Sequence, residues 1–401
     1  MKRRRVKITG IGPVTPAGIG REEFWKGILE PVSRIRLLPK LSEHSGALIA
    51  AELRDFRPER YFEGVSFKRM ARHTQFAVVG ALLAIRDAGI GLEYLRERMP
   101  LIAVGASLMD FGAINRFINT ALVRGYATPA PPTTVFSMSV ASIGGAISEL
   151  VGGTTRTISL QSACCSGVDA IGHAAERIAT GEAEIAICGG SEAPLHYHPM
   201  VELKLAGLSP GSPEEPDRQC RPFDLWRTSG ALGEGAAVFV LEPEESPRLG
   251  YAFIDGYAYA SDPVENPGAG LVDAIRLTLA NAGVGPTDID AINAWGPGHP
   301  VVDAAEAVSL ARVFGPHLVQ VPAFSIKGAV GSALGAAGAI QVAASALGIR
   351  DDRLPPTVNW EYPDPSCPLN LSSNCRFLRQ SKVLIDSHGL SGTNACLVLS
   401  R

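Results

Sequence analysis

Apolar residues recur along the 401-residue chain in two rhythms. Short runs rich in β-branched and aliphatic side chains predict buried strands at Val6–Thr9, Leu101–Val104, Thr157–Leu160, Glu184–Cys188 and Ala236–Leu241. Between them the spacing turns helical. Thr74–Gly89 puts Val78, Val79, Leu82 and Ile85 on one side, and Val168–Thr180 does the same with Ile171, Ala174, Ala175 and Ile178. Val140–Val151, rich in Ala and Gly, reads as a buried helix. Residues 107–135 read as an insertion with a helix around Gly112–Leu122 and a proline-bearing loop at 129–132, and 191–232 as a long polar loop. The second half repeats this grammar. Strands are expected at Tyr251–Tyr257, Ile289–Asn293, Leu318–Val321, Lys382–Ile385 and Ala395–Leu399, and helices at Gly270–Gly283, Asp303–Phe314 and Gly331–Ile349. The alternation predicts an α/β layered protein with a largely parallel sheet. It divides into two βαβαβ halves, 1–245 and 246–401, whose likeness of plan suggests pseudo-duplication although no repeat is visible in the residues.

Composition narrows the function. With 46% hydrophobic and 19% charged residues a large core is available, and a net charge of −3 argues against a nucleic-acid partner. The basic run Lys2–Arg5 is followed by no apolar stretch of signal-peptide length and reads as a solvated lead into the first strand. Gly331–Ile349 is too rich in Gly and Ala to suit lipid, so no membrane partner is expected. Seven cysteines, an odd number with no CxxC, speak against a disulfide framework or a zinc site and for the reducing cytoplasm. Gly10–Gly18 faintly imitates a dinucleotide loop, but Thr15 replaces the third glycine and Pro13 and Pro16 interrupt it. His196 and His198 have no recognisable further ligands and read as loop histidines, so no metal is expected.

Chemistry concentrates at Gln161-Ser-Ala-Cys-Cys-Ser-Gly167, between an expected strand and an expected helix. An abrupt strand-to-helix turn leaves free N–H groups, and these with the helix dipole favour an anion. Cys164 therefore reads either as an inert packed thiol or as a nucleophile with a lowered pKa, whose neighbouring N–H groups cradle an oxyanion.

Three further turns are of the same kind: Asn293-Ala-Trp-Gly296, Ser325-Ile-Lys-Gly-Ala-Val-Gly-Ser332 and Asp386-Ser-His-Gly-Leu-Ser-Gly-Thr-Asn394. With Val6–Gly12, Arg221–Asp224, Gly233–Gly235, Leu334–Gly338 and Pro355–Asn359, they resemble the β-ketoacyl-ACP synthases over nearly the whole chain. These are condensing enzymes of the thiolase fold in fatty-acid and type II polyketide synthesis. The resemblance implies a thiolase-like fold with layers αβαβα. It implies that Cys164 accepts an acyl chain from acyl carrier protein, with the backbone N–H groups of Cys164 and Leu390 as oxyanion hole and Gly389, Leu390 and Ser391 as gate. The family lysine and glutamate correspond to Lys327 and Glu306. The two family histidines, which hydrogen-bond the enolate formed as malonyl-ACP loses CO₂, are replaced by Trp295 and Ser332. Each such donor is worth about 2.7–4 kcal/mol, so decarboxylative condensation is expected to be impaired or altered.

His388 stands where the family has Phe. It reads either as a core histidine or as a group that polarises Cys164 or a bound thioester. His299, four residues beyond Trp295, reads as a loop residue. Lys68 and Arg72 are expected to dock the acidic carrier protein, against a solvated helix face as the alternative. The resemblance further implies a homodimer or a heterodimer with a ketosynthase, and no cofactor. Two functions fit: an acyltransferase, and a non-catalytic chain-length-factor-like subunit. Such subunits usually lack the cysteine that this chain keeps.

Overall fold

The computed structural model describes residues 3–42, 46, 48–61, 67, 70–125, 134–210, 212 and 214–401. The period-two runs become ten strands of one sheet: β1 (Val6–Thr15), β2 (Leu101–Gly105), β3 (Arg156–Leu160), β4 (Ala186–Glu192), β5 (Gly235–Pro243), β6 (Ala252–Ser261), β7 (Ala291–Asn293), β8 (Ala323–Phe324), β9 (Lys382–His388) and β10 (Thr393–Ser400). Their order is β8-β7-β9-β10-β6-β1-β5-β4-β2-β3, and an eleventh strand, Gly18–Ile19, hangs on the end of β1. Outward from the centre, β1 is followed by β5, β4, β2 and β3, and β6 by β10, β9, β7 and β8. In both series the first two pairings are antiparallel and the last two parallel. The sheet is therefore mixed rather than largely parallel, and the duplication unseen in the residues is plain in the topology. The series join through three residue pairs of β1 and β6, Val6/Ile254, Lys7/Phe253 and Ile8/Ala252.

The helices used below are α1 (Arg72–Asp87), α2 (Phe111–Arg124), α3 (Ala141–Val151), α4 (Ser166–Ala179), α5 (Tyr197–Leu205), α6 (Ala269–Ala282), α7 (Pro300–Phe314) and α8 (Ala337–Asp351). Helices α4 and α8 touch strands of both series and form the middle layer. Helices α1 and α3 cover the outer face of the first series, and α6 and α7 that of the second. This is the expected αβαβα arrangement. Helix α8 is buried on all sides through Ile349, which its small residues permit.

Four sequence expectations need correction. The helix expected from Gly331 begins only at Ala337, because 331–336 bonds elsewhere: the Ser332 N–H donates to Ala231 O and the Gly335 N–H to Glu192. The strand expected at Leu318–Val321 is a series of turns. Pro322 has no N–H for a ladder, and pairing starts at Ala323. The loop 191–232 contains α5. Strand β3 lies at the open end of the sheet, with Arg156, Thr157 and Ile158 exposed rather than buried. The insertion carries α2 as expected, while the loop at 129–132 lies outside the described residues. Among the described residues no helix is long and apolar enough to cross a membrane.

One close approach ties the middle layer to the site. A Cβ on Gly172 of α4 would stand 2.3 Å from Cγ of the Tyr257 ring. The ring lies flat against the helix and its hydroxyl donates to Asp169 Oδ1 at 2.8 Å. Alanine would gain about 1 kcal/mol of helix preference at position 172. Displacing a packed ring costs about 1–3 kcal/mol, so the clash wins. Gly172→Ala is thus expected to lower the thermal unfolding midpoint, measured by calorimetry.

Candidate active site

Strand β3 leaves the sheet into a turn in which Ala163 takes φ +51°, a left-handed conformation that few non-glycine residues adopt. The 3₁₀ turn Ala163–Cys165 then runs straight into α4. Cys164 is 6% exposed, and the N–H groups of Cys164 and Leu390 both point at its Sγ. The donors expected for an oxyanion thus converge on the sulfur. The lowered pKa that a helix start would give is opposed by burial. Burial, with a smaller contribution from Glu192, pushes Cys164 up to about 12, against the pull of the two N–H groups and Lys327. Cys165 packs beneath, its thiol donating to the carbonyls of Ser387 and Thr393 at 3.3 and 3.4 Å.

The loop after β9 wraps this turn. The Ser387 hydroxyl donates to Cys164 O at 3.3 Å, and the Thr393 hydroxyl to Ser162 O at 3.2 Å. Gly389 fits because a Cβ there would lie 2.2 Å from Thr393 Oγ1. Cys164, Trp295, Ser332, His388 and the gate residues Gly389, Leu390 and Ser391 all line one cavity of about 440 Å³. Leu203, Leu208, Val264 and Leu334 give it apolar walls. Leu390 is 62% exposed and stands at its rim.

Lys327, 1% exposed, reaches under this cavity. Its Nζ donates to Gln341 Oε1 at 2.9 Å and lies 4.1 Å from the centre of the Trp295 ring. Burial pulls Lys327 down to about 8, while Glu306 and Asp386 push the other way. The Trp295 backbone N–H donates to Glu306 Oε1 and to Asp386 Oδ1, both at 2.8 Å, and the Gly296 backbone N–H to Glu306 Oε2 at 2.9 Å. Burial, and then the Asp386 carboxylate, push Glu306 well above the ordinary carboxylate range. His388 Nε2 stands 3.8 Å from Asp386 Oδ2 and 3.9 Å from Glu306 Oε2. Glu306, Asp386 and His388 thus bring one carboxylate or imidazole atom each within 4.8 Å of one another.

The structure therefore brings together Cys164, Trp295, Ser332, Lys327, Glu306, His388 and the gate. His299 is more than a loop residue: its Nδ1 accepts the N–H groups of Val301 and Val302, capping α7, and the ring lines the cavity. Lys68 lies outside the described residues. The Arg72 guanidinium is engaged internally, donating to both oxygens of buried Glu234 at 2.8 and 2.6 Å and to Leu53 O at 2.8 Å. His198 stacks on Phe111 and pairs with Glu202, and His196 is half-buried.

Three site residues escaped the sequence reading: Asp386, Gln341 and Glu192. Asp386 had a signal, since it lies two residues before His388 on a strand and so shares its face. Gln341, whose Nε2 donates to the carbonyls of Asn293, Ala294 and Asp386, is a polar residue inside an otherwise small, apolar helix. Glu192 is pushed up to about 7 by burial and takes the N–H groups of Ser107, Leu108 and Gly335. Nothing in its local sequence marks it.

The model for the β-ketoacyl synthase N-terminal domain matches residues 3–246, and that for the C-terminal domain residues 250–361. The chain is 33% identical over 418 residues to 3-oxoacyl-[acyl-carrier-protein] synthase 2 of Coxiella burnetii, covering 100% of this chain and 99% of that protein. Among solved structures it is similar to the ishigamide ketosynthase/chain length factor, with TM-score 0.93, 30% identity and 99% of each chain covered. It is also similar to a type II PKS ketosynthase bound to the hexaketide and in complex with its acyl-carrier protein, with TM-score 0.88, 26% identity and 99% of each chain covered.

A thiol pushed up to about 12 is almost wholly protonated at neutral pH, and only the thiolate alkylates. Iodoacetamide at pH 7.5 is expected to label half-buried Cys375 before Cys164, with Cys164 labelling still rising above pH 9, as read by peptide mass mapping.

Proposed function

The chain belongs to the β-ketoacyl synthase family, and from that we propose that it is an acyl-transferring member of fatty-acid or type II polyketide synthesis. Its Cys164 takes an acyl group from acyl carrier protein as a thioester. The observation that carries this reading is Cys164 Sγ, faced by the N–H groups of Cys164 and Leu390, in the wall of a largely apolar cavity. As Sγ attacks the incoming thioester carbonyl, the oxygen gains negative charge, and two preorganised N–H donors suit that charge. The apolar walls suit an alkyl chain. Residues 1–245 and 246–401 act as two halves, the first supplying the sulfur and the second the gate and Lys327.

Carbon–carbon bond formation is the weaker half of the reaction here. No imidazole occupies either family position: Trp295 offers a single indole N–H, and its ring faces the Lys327 ammonium. These replacements favour a second reading, a chain-length-factor-like subunit that works beside an intact ketosynthase. Similarity to a ketosynthase/chain length factor supports the same idea. Retention of Cys164 in a lined cavity weighs toward the transferase.

In either reading the chain works as a dimer, with itself or with a ketosynthase, through β3. That strand ends the sheet with its outer edge unpaired among the described residues, and Ile158 on it is 37% exposed. Exposed Val135 and Phe136 line a second cavity with residues of α3, the helix that packs on β3. Unpaired edges of this kind are normally covered.

Incubation with acyl-ACP is expected to add the acyl mass to the protein and to leave Cys164→Ala unmodified, as seen by intact mass spectrometry. In the same preparation CO₂ release from malonyl-ACP should be slower than in a synthase with both histidines by about 10²–10³ for each lost donor. No adduct, together with a stable complex with a Cys/His/His synthase, selects the subunit reading. Ile158→Arg is expected to shift the sedimentation profile from dimer toward monomer.

A further inference from the structure

We propose that Asp386, backed by Glu306, is a positioning residue that holds His388 as the proton acceptor for Cys164 during acyl loading, a role that rests on the loading reading above. Strand alternation places Asp386 and His388 on one face of β9, while Ser387 on the other face bonds Cys164 O. Asp386 is fully buried. Its Oδ1 takes the Trp295 N–H, but its Oδ2 has no hydrogen-bond partner. His388 Nε2 is likewise buried without a partner, and the two atoms face each other at 3.8 Å. Two desolvated polar atoms left unpaired this close form a bond on an approach of about 1 Å.

That bond would decide the tautomer. With the proton on Nε2 directed at a carboxylate, Nδ1 keeps its lone pair. Nε2 is sealed from solvent, whereas the side chain as a whole remains 16% exposed and lines the cavity shared with Cys164. The open edge of the ring is therefore the one turned to the substrate side. Burial and the pressure of its neighbour push Glu306 above the ordinary carboxylate range, and Asp386 is the carboxylate whose free oxygen faces the ring. Lys327, across the Trp295 ring, supplies the balancing positive charge, and Asp303 adds to the negative surroundings of Glu306.

The residue types agree with this arrangement. The chain reads Asp-Ser-His at 386–388, with His388 where the family has Phe. Asp386 and His388 fall on the same face, and each is useful only with the other. An Asp without a ring to orient is a buried charge, and a His without a carboxylate has no fixed tautomer. The need is also present, because the N–H groups around Sγ stabilise charge but remove no proton from a thiol this strongly protonated.

The step balances as follows. The Sγ–H bond breaks and its proton passes to Nδ1, while Sγ bonds to the thioester carbonyl carbon. The bond from that carbon to the carrier thiol breaks, and the departing thiolate takes the proton back from Nδ1. No oxidant or cofactor is consumed.

The test is the rate of Cys164 acylation in the full chain, followed by quenched-flow intact mass against octanoyl-ACP concentration. Asp386→Asn keeps the acceptor for the Trp295 N–H and removes the charge. It is expected to lower the maximal acylation rate by about 10²–10⁴ while leaving the half-saturating concentration unchanged. His388→Phe should do the same, and the double variant should be no slower than His388→Phe alone. A merely structural Asp386 would not produce that split or that non-additivity. Native-rate acylation by Asp386→Asn, or losses that multiply in the double variant, overturn the proposal. If Asp386→Asn unfolds early, His388→Phe decides alone: a native rate in it overturns the proposal, and a loss confined to the maximal rate supports it. Absence of any adduct in the native protein overturns the loading reading and this role together, whereas a native adduct with an unaltered Asp386→Asn overturns this role alone.

Discussion

The structure depends on a contact between its two halves. The turn that carries Cys164 comes from the first series of strands, and the loop that closes over it, residues 387–394, comes from the second. Four bonds cross between them: the Ser387 hydroxyl to Cys164 O, the Thr393 hydroxyl to Ser162 O, and the Cys165 thiol to the carbonyls of Ser387 and Thr393. The Leu390 N–H aimed at Sγ is part of the same seam. Neither half alone presents a sulfur with two donors. The middle helices α4 and α8 make the seam possible, because they pack against strands of both series and hold them at fixed spacing.

Behind the seam lies a set of buried charges that would be costly if any member were left alone. Lys327, Glu306 and Asp386 are each nearly or wholly inaccessible. Uncovering one partner of a buried pair typically costs about 3–5 kcal/mol. Here the charges are shared out among backbone N–H groups, the Gln341 amide and the Trp295 ring. Trp295 thus does more than replace an imidazole: its backbone holds both carboxylates and its ring faces the ammonium. Ser332, a small residue, lines the same cavity as the indole.

Much of this was legible in the residues. Apolar, β-branched runs placed nine of the ten strands close to their observed positions; the turn chemistry singled out Cys164, while Lys327, Glu306 and the gate came from the resemblance to the β-ketoacyl-ACP synthases. What was missed was non-local. The position of β3 at the end of the sheet depends on strand order, which a hydrophobic pattern does not encode. The break before α8 arises from bonds to Ala231 and Glu192, far away in the chain. The two readings of the Cys164 thiol stayed open because a helix start is visible in sequence and the depth of burial around it is not. Arg72 read as a surface cation because its partner Glu234 is distant in the chain.

Strand β3 connects two properties that are usually discussed apart. It is the exposed end of the sheet, and only three residues separate its last member, Leu160, from the turn at Cys164. Whatever chain docks along that edge leans on the same short peptide that aims the sulfur. An assembly built along that edge would tie quaternary contact to nucleophile alignment, so that two proteins with identical pockets would differ in reactivity simply by keeping different company.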